Sequence, residues 1–419
     1  MNRILPGASR RLGVFGAAWA VLLASAPASA QQIVSTTAQL EQAVSKANAG
    51  TASTEILIQN GTYSLSQPLP LRAAGTIVRS QSGSRDAVVL EGSGMTSGVT
   101  HVFHVFGHDV TIADLTLRNV WNHAIQIHGE GPASADRTVL RNLVIQDTGE
   151  QMVKVSYKQG TAASSDGGLV EGCLFEYTAG IGPQYYIGGI DAHQAQNWTV
   201  RGNTFRGIRS PDSNVAEHAV HFWSDASGTL VERNLIINCD RGIGFGLGNR
   251  GHQGGIIRNN MIYHADLGAD RGDVGIELES AAGAQVYNNT VYQEHAYQAA
   301  ISVRWGASSV YVANNLCRTG GTGKVIWKRD GPSVTQEANV VNAQAAWFVD
   351  VSSGDLRLAI SEPSVVDQGV AVGGLTDDFD GRSRPAGGAP DIGASEYGAV
   401  AGGSSVRPSS WGALKAKYR

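Results

Sequence analysis

"VRGNTF" (Val200–Phe205) returns, with an Asn held at one place, as "VERNLII" (Val231–Ile237), "IRNNMI" (Ile257–Ile262), "VYNNTV" (Val286–Val291) and "VANNLC" (Val312–Cys317). Upstream, "VEGCLF" sets Cys173 in that place, "VLRNLVI" sets Asn142 there, and "TIADLTL" opens the series with Asp114. From Asn142 through Cys173, Asn203, Asn234, Asn260 and Asn289 to Asn315, the steps are 31, 30, 31, 26, 29 and 26 residues. A coil of this length with short apolar runs cannot bury its own apolar side, so successive coils must stack and share one core. The fixed Asn has a physical role, because its amide can bond its own turn and stack on the Asn of the next coil. Cys173 in the same column reads as a small buried spacer. The predicted fold is all-β, a single-domain parallel β-helix.

The flanks agree with this reading. "TTAQLEQAVSKANAG" (Thr36–Gly50) predicts an amphipathic helix, which would cap the open end of the stack and cover its strand edges. "TEILIQNGTYSL" after it predicts the first strand and turn, and "DFDGRSRPAGGAPDIGASEYG" (Asp377–Gly398) a turn-rich closing segment at the other end. The first thirty residues, with Arg3, Arg10 and Arg11 before an apolar run ending Ala-Ser-Ala, have the make-up of a cleavable secretory signal. The expected organisation is a signal peptide over 1–30, the β-helix domain over 31–398 and a Gly/Ser-rich tail over 399–419. A secreted or periplasmic location follows. No later run is apolar enough to span a bilayer.

Removing the signal takes away three basic residues and no acidic one, so the net charge falls from −4 to −7, which argues against a nucleic-acid partner. It leaves room for an anionic glycan bound at a local basic patch. Three cysteines form no disulfide framework, so stability must come from packing. A monomer is expected, and neither a membrane nor a required cofactor is called for.

Each coil carries a second strand after its Asn turn: "HAIQIHG", "QMVKVSYK", "GGIDAHQA", "HAVHFWSD", "RGIGFGLG", "VGIELES", "AAISVRWG" and "KVIWKRD". Apolar residues fill the alternate places, so the others point outward. One outward column reads Gln126, Lys154, Asp191, His221, Gly244, Glu277, Ser302. Its neighbour reads His128, Ser156, His193, Trp223, Gly246, Glu279, Arg304, Lys328. Adjacent strands stack about 4.8 Å apart, which gathers Lys154, Asp191, His193, His221 and Trp223 into one patch. Long connections before the second strand, holding Tyr185, Tyr186 and Arg209, predict walls around a depression floored by Gly244 and Gly246. Trp223 offers a stacking platform for a sugar ring.

The repeats, the "IxxGxY" pattern (Ile58 to Tyr63) and the "DGRxRPxGGxPDIGAxEY" close (Asp380 to Tyr397) resemble secreted bacterial proteins of the pectate-lyase-like right-handed parallel β-helix superfamily. The resemblance spans the mature chain. It implies the fold, and a polysaccharide as partner, more strongly than any one reaction. "GIDAHQ" partly resembles the "DPHD" signature of mannuronan C5-epimerases. Asp191 and His193 match its first Asp and its His, while Ala192 and Gln194 depart from it.

The outward residue types suit β-elimination at a uronic acid. That reaction needs a cation on the substrate carboxylate, a base for the C5 proton and an acid for the leaving oxygen. Lys154 or Arg304 would supply the cation, His193 the base with His221 second, and Asp191 would orient an imidazole or bind hydroxyls. Gln126, His128, Tyr185, Tyr186, Arg209, Trp223, Arg241 and Glu277 are the candidate substrate contacts. His218 and Arg241, at the start of their strands, have a structural reading as well. Glu277 and Glu279 share a face and could hold Ca²⁺, although a solvated acidic strip is the plainer reading. The expected protein is a polysaccharide lyase acting on an acidic exopolysaccharide. A glycoside hydrolase using Asp191 with Glu277 or Glu279, a uronate C5-epimerase and a non-catalytic glycan-binding surface protein are the alternatives.

Overall fold

The computed structural model describes Met1 and residues 31–130, 134–161, 163–267, 272–295, 299–321 and 324–398. The expected signal segment, the tail over 399–419 and part of the loop after His264 (268–271) lie outside the described residues. Among the described residues the strands collect into a 14-stranded sheet and two 10-stranded sheets with parallel ladders, plus one short antiparallel pair. The chain visits the three parallel sheets in turn. Val139–Arg141, Val144–Thr148 and Val153–Ser156 form one coil, and Leu169–Glu171, Leu174–Glu176 and Ile190–His193 the next. This is the expected parallel β-helix.

One 10-stranded sheet positions the site. Its strands are β1 (Leu69–Leu71), β2 (Phe103–Val105), β3 (Ile125–His128), β4 (Val153–Ser156), β5 (Ile190–His193), β6 (His218–Trp223), β7 (Arg241–Phe245), β8 (Ile276–Glu279), β9 (Ile301–Arg304) and β10 (Ile326–Arg329). Ile125 and Ile127, Val153 and Val155, Ile190 and Ala192, Val220 and Phe222, Ile243 and Phe245, Ile276 and Leu278, and Ile301 and Val303 all point inward and are fully buried. Each such Val, Ile, Leu or Phe side chain contributes about 1.5–3 kcal/mol by leaving water. That row locks the register, because a slip of one residue would turn every apolar side chain outward.

The Asn column is a continuous ladder, buried from Asn203 through Asn315. The Asn203 side chain donates to Asn234 Oδ1 (3.0 Å), Asn234 to Asn260 (3.0 Å), Asn260 to Asn289 (2.9 Å), Asn289 to Asn315 (3.0 Å) and Asn315 to Asn339 (3.0 Å). Cys173 continues it, with its backbone N–H on Asn203 Oδ1 at 2.9 Å and its thiol buried, unbridged and pushed up to about 12 by burial. Two expectations need correcting. Pairing of Val144 with Leu174 and Thr116 puts Leu143 and Leu115, not Asn142 and Asp114, in the ladder column. Asn142 and Asp114 occupy the preceding turn position, where φ is 52° and 58°, a left-handed conformation that Arg233, Asn259, Asn288 and Asn314 share. That left-handed turn favours Asn for its own reason, so a lone Asn in a coil does not say which column it fills.

The predicted helix, α1 (Thr37–Asn48), is present, capped by the Thr36 hydroxyl and burying Leu40, Ala43, Val44 and Ala47. A strand at Gln32–Val34 that sequence patterning missed precedes it and pairs with Glu55–Ile58. The closing segment runs along the flank of the later coils rather than over their end. Arg233 pairs with Asp377 (3.0 Å), Asn259 Nδ2 donates to Asp377 O (2.9 Å) and Asn288 Nδ2 to Asp391 O (3.0 Å). Among the described residues, no helix is long and apolar enough to cross a membrane.

Candidate functional site

In-register stacking gives the outward columns their neighbours. Gln126 faces Lys154, Lys154 faces Asp191, Asp191 faces His221, and His193 faces Trp223. The register holds as far as Glu279 opposite Arg304, and then corrects one expectation: Arg329, not Lys328, follows Arg304.

The first surprise is burial. Asp191, His193 and His221 point away from the helix core yet are 3%, 7% and 1% exposed. They cover one another and are roofed by side chains from beyond the strands. The Lys154 ammonium contacts Asp191 Oδ2 and lies 2.9 Å from His193 Nε2. Trp223 Nε1 donates to the other Asp191 oxygen at 2.7 Å. Nδ1 of His193 meets the Ser224 hydroxyl at 3.1 Å. Burial pushes the Asp191 carboxyl up, but the contact with His193 and the charge of Lys154 override it and hold the group below the usual carboxylate range. Burial pushes His193 down, against the pull of Asp191. Because an ammonium can only donate, a neutral His193 in this contact would accept from Lys154 at Nε2 and donate to Ser224 from Nδ1.

Two residues beyond the strand ends complete this cluster. Tyr157 stacks on the His193 ring (4.9 Å, 10°), and its hydroxyl accepts from the Arg250 guanidinium. That guanidinium also lies 4.1 Å over the Trp223 ring. Trp223 is also stacked on His221 (5.3 Å, 1°) and tilted against His193 (4.4 Å). Its ring is thus packed inside the cluster, which corrects its reading as an open sugar platform. The half-buried Tyr157 and Arg250 carry the cluster to the surface.

The bare glycine coil is filled as well. The His218 ring rests over Gly244, where a Cβ would come within 2.7 Å of Nε2, so Gly244 is a seat for an imidazole and not the floor of a depression. Around it, Glu217 Oε2 lies 3.6 Å from His218 Nδ1 and 3.2 Å from His221 Nδ1, and Glu277 Oε2 lies 3.5 Å from His218 Nε2. Burial pushes His218 down, but Glu217 and Glu277 more than offset it and leave the group raised. Glu277, pushed up by burial, is drawn down to about 2 by His218, Arg241 and Arg329.

The remaining candidates separate. Arg304 stands four strands from Asp191, about 19 Å at the strand spacing, and is bonded to Glu279 (3.2 Å) and Asp330 (2.7 Å). It does not join the cluster. Glu277 and Glu279 are buried and each is neutralised by an arginine, so they form neither a solvated strip nor an oxygen cage for Ca²⁺. Three strands, about 14 Å, separate Asp191 from Glu277, wider than the about 5–9.5 Å that paired glycosidase carboxylates need. Arg241 is held by Asp273 at 2.8 Å. His128 bonds Glu130 (2.5 Å) and His104 (2.8 Å), in a second histidine group with His101 and His123 beside Gln126. Arg209 reaches Gly180 O at 3.4 Å, and Tyr185 and Tyr186 are 46% and 42% exposed on the loop before β5.

Sequence reasoning missed Tyr157, Glu217, Ser224 and Arg250. Glu217 had a signal, since it continues the alternation of Ala219, His221 and Trp223 one step before the strand begins. Tyr157, Ser224 and Arg250 had none, because alternation stops where the strand stops.

An outward-facing, loop-roofed polar cluster on one sheet of a parallel β-helix is the arrangement found here. The sequence matches the family described as right-handed β-helix region over residues 100–317, more than half of the chain, and the protein belongs to that family. No curated protein matches it. Among solved structures it is similar to pectate lyase Pel9A, at 14% identity over 81% of this chain and 87% of that one, with a TM-score of 0.54. It is also similar to an alginate lyase from Paenibacillus sp. str. FPU-7 (19% identity, 75% and 99% covered, TM-score 0.49). A third is the tailspike protein of E. coli bacteriophage HK620 (14% identity, 74% and 63% covered, TM-score 0.49). At these identities the likeness is one of fold.

Proposed function

We propose that this protein is a secreted polysaccharide lyase that cleaves a uronate-containing glycan by β-elimination over β4, β5 and β6. The observation that carries the reading is the Lys154 ammonium held 2.9 Å from His193 Nε2 and against Asp191 on an outward strand face. A uronate carboxylate entering beside Tyr157 and Arg250 competes with His193 for Lys154. As Lys154 turns to the substrate, it neutralises the carboxylate and frees the His193 lone pair in one movement. His193 Nε2 then takes the C5 proton, the C5–H electrons form the C4=C5 double bond, and the C4–O4 bond breaks. The Tyr157 hydroxyl supplies the proton that O4 needs. Asp191, fixed by Trp223, stays ionised and holds Lys154 ready. The fold shared with Pel9A, a pectate lyase by name, is in keeping with this reading.

A panel of acidic polysaccharides tests it, followed by ultraviolet absorbance of the new double bond and by product mass. Unsaturated oligouronides from at least one substrate, lost in His193→Ala and Tyr157→Phe, are expected. Inverted uronate without chain cleavage would replace the lyase with an epimerase. Saturated reducing ends would replace it with a hydrolase, and binding without product would replace it with a glycan-binding protein.

A further inference from the structure

Beside the Lys154 cluster lies a group of polar atoms that face chiefly one another, as ion contacts of 3.2–3.6 Å. Glu217 Oε2, His218 Nδ1, His218 Nε2 and His221 Nδ1 are all buried, and none of these contacts has the geometry of a hydrogen bond. A buried polar atom left without a well-formed hydrogen bond costs up to about 1–3 kcal/mol. Both His218 Nδ1 and His221 Nδ1 face Glu217 Oε2, and each of the three residues offers a ligand atom within 4.8 Å of the other two. We propose that Glu217, His218 and His221 bind a divalent transition-metal ion of the Zn²⁺ kind.

The spacing fits. Zinc holds imidazole nitrogen and carboxylate oxygen at about 2.0–2.2 Å, which in tetrahedral geometry sets ligand atoms about 3.3–3.6 Å apart. Glu217 Oε2 stands 3.2 Å from His221 Nδ1 and 3.6 Å from His218 Nδ1. The far nitrogens are arranged as they are around metals, where each ligating imidazole donates its other N–H to a carbonyl or carboxylate. His221 Nε2 lies 3.2 Å from Gly246 O, and His218 Nε2 lies 3.5 Å from Glu277 Oε2. Glu277 is in turn held by Arg329 at 3.1 Å. Two imidazoles and one carboxylate favour zinc-like ions over Ca²⁺, which takes six to eight oxygens. Gly244 makes the site possible, because any side chain there would displace the His218 ring. Three protein ligands leave a fourth position for water.

The proposal does not depend on the lyase reading, and its test measures metal and not turnover. The untagged full chain is stripped with chelator and dialysed against Zn²⁺, Co²⁺ or Ca²⁺, with bound metal counted and the Co²⁺ visible spectrum recorded. One equivalent of Zn²⁺ or Co²⁺, a tetrahedral Co²⁺ spectrum and a raised melting temperature are expected, with Ca²⁺ giving none of these. Loss of a group that only orients a ligand weakens such sites about 10–100-fold, so Glu277→Gln is expected in that range and Glu217→Gln or His218→Ala beyond it. Gly244→Ala removes no donor and is expected to weaken binding by displacing His218. Each variant is compared with the wild type by circular dichroism in metal-free buffer, which separates lost binding from lost folding. Failure of the wild type to retain Zn²⁺, preference for Ca²⁺, or unchanged Zn²⁺ affinity in folded Glu217→Gln would overturn the site and leave an imidazolium–carboxylate cluster.

Discussion

Replacing Lys154 by Met strands the Asp191 carboxylate. In the wild type its two oxygens are satisfied by the ammonium and by Trp223 Nε1, in side chains 13% and 4% exposed for Lys154 and Asp191. Without the ammonium, the buried carboxylate keeps Trp223 Nε1 and the His193 ring 3.6 Å away but no permanent positive charge, and its proton affinity climbs. Removing one partner of a buried ion pair costs about 3–5 kcal/mol. For a cooperative unit of this chain's length, that lowers the melting temperature by roughly 4–6 °C. Adding Asp191→Asn removes the orphaned charge while keeping the oxygen that Trp223 bonds, so Lys154→Met/Asp191→Asn should regain most of the loss. Calorimetry on the two single variants and the double variant gives the coupling, and lyase assays on the same samples give the function. The single variants and the double variant should all lack activity, since the stable double variant has neither the carboxylate-binding cation nor its anchor. A Lys154→Met protein that melts like the wild type would refute the pair as a buried charge balance. A double variant that still makes unsaturated product would refute its catalytic use.

Three further outcomes are expected. Asn260→Ala deprives the Asn234 and Asn289 side chains and the Val231 carbonyl of buried partners, and should destabilise by about 3–5 kcal/mol in denaturant titration. Burial and neighbouring imidazoles push His101 down from 6.5 to about 3, and burial with nearby positive charge pushes His104 and His123 to about 4. The unfolded chain therefore takes up protons first, so stability is intact above pH 6.5 and falls as pH drops towards 3. His101 alone accounts for about 3 kcal/mol by about pH 4, and His101→Phe should flatten the fall of melting temperature with pH. Arg384 and Glu396 form a fully buried pair at 2.9 Å in the closing segment. Arg384→Met should cost about 3–5 kcal/mol and make the segment susceptible to limited proteolysis.

Much of the architecture was legible because it is periodic. A coil of roughly thirty residues must stack to bury its apolar side, and the two-residue alternation of a strand assigns each side chain to the inside or the outside. Those two periods placed Lys154, Asp191, His193, His221 and Trp223 side by side, and the structure keeps that register. Where a period gave two equal answers, the reading slipped. Asn142 and Asp114 fit the turn column as well as the ladder column, and only the hydrogen bonds tell the two apart.

What alternation cannot supply is depth and partnership. Pointing outward is a property of one strand, whereas being buried depends on what the loops fold back over it. Asp191 and His221 are outward by parity and buried by their neighbours. Trp223 turned from a platform into packing because Arg250, distant in sequence, covers its ring. Tyr157 and Arg250 lie past strand ends, where no period constrains them. Periodicity sets the stack, its register and which residue types share a face. Which charges meet is a matter of three-dimensional packing, because the loops set the burial that makes Lys154, Asp191 and His193 one coupled unit and leaves Glu217, His218 and His221 facing one another.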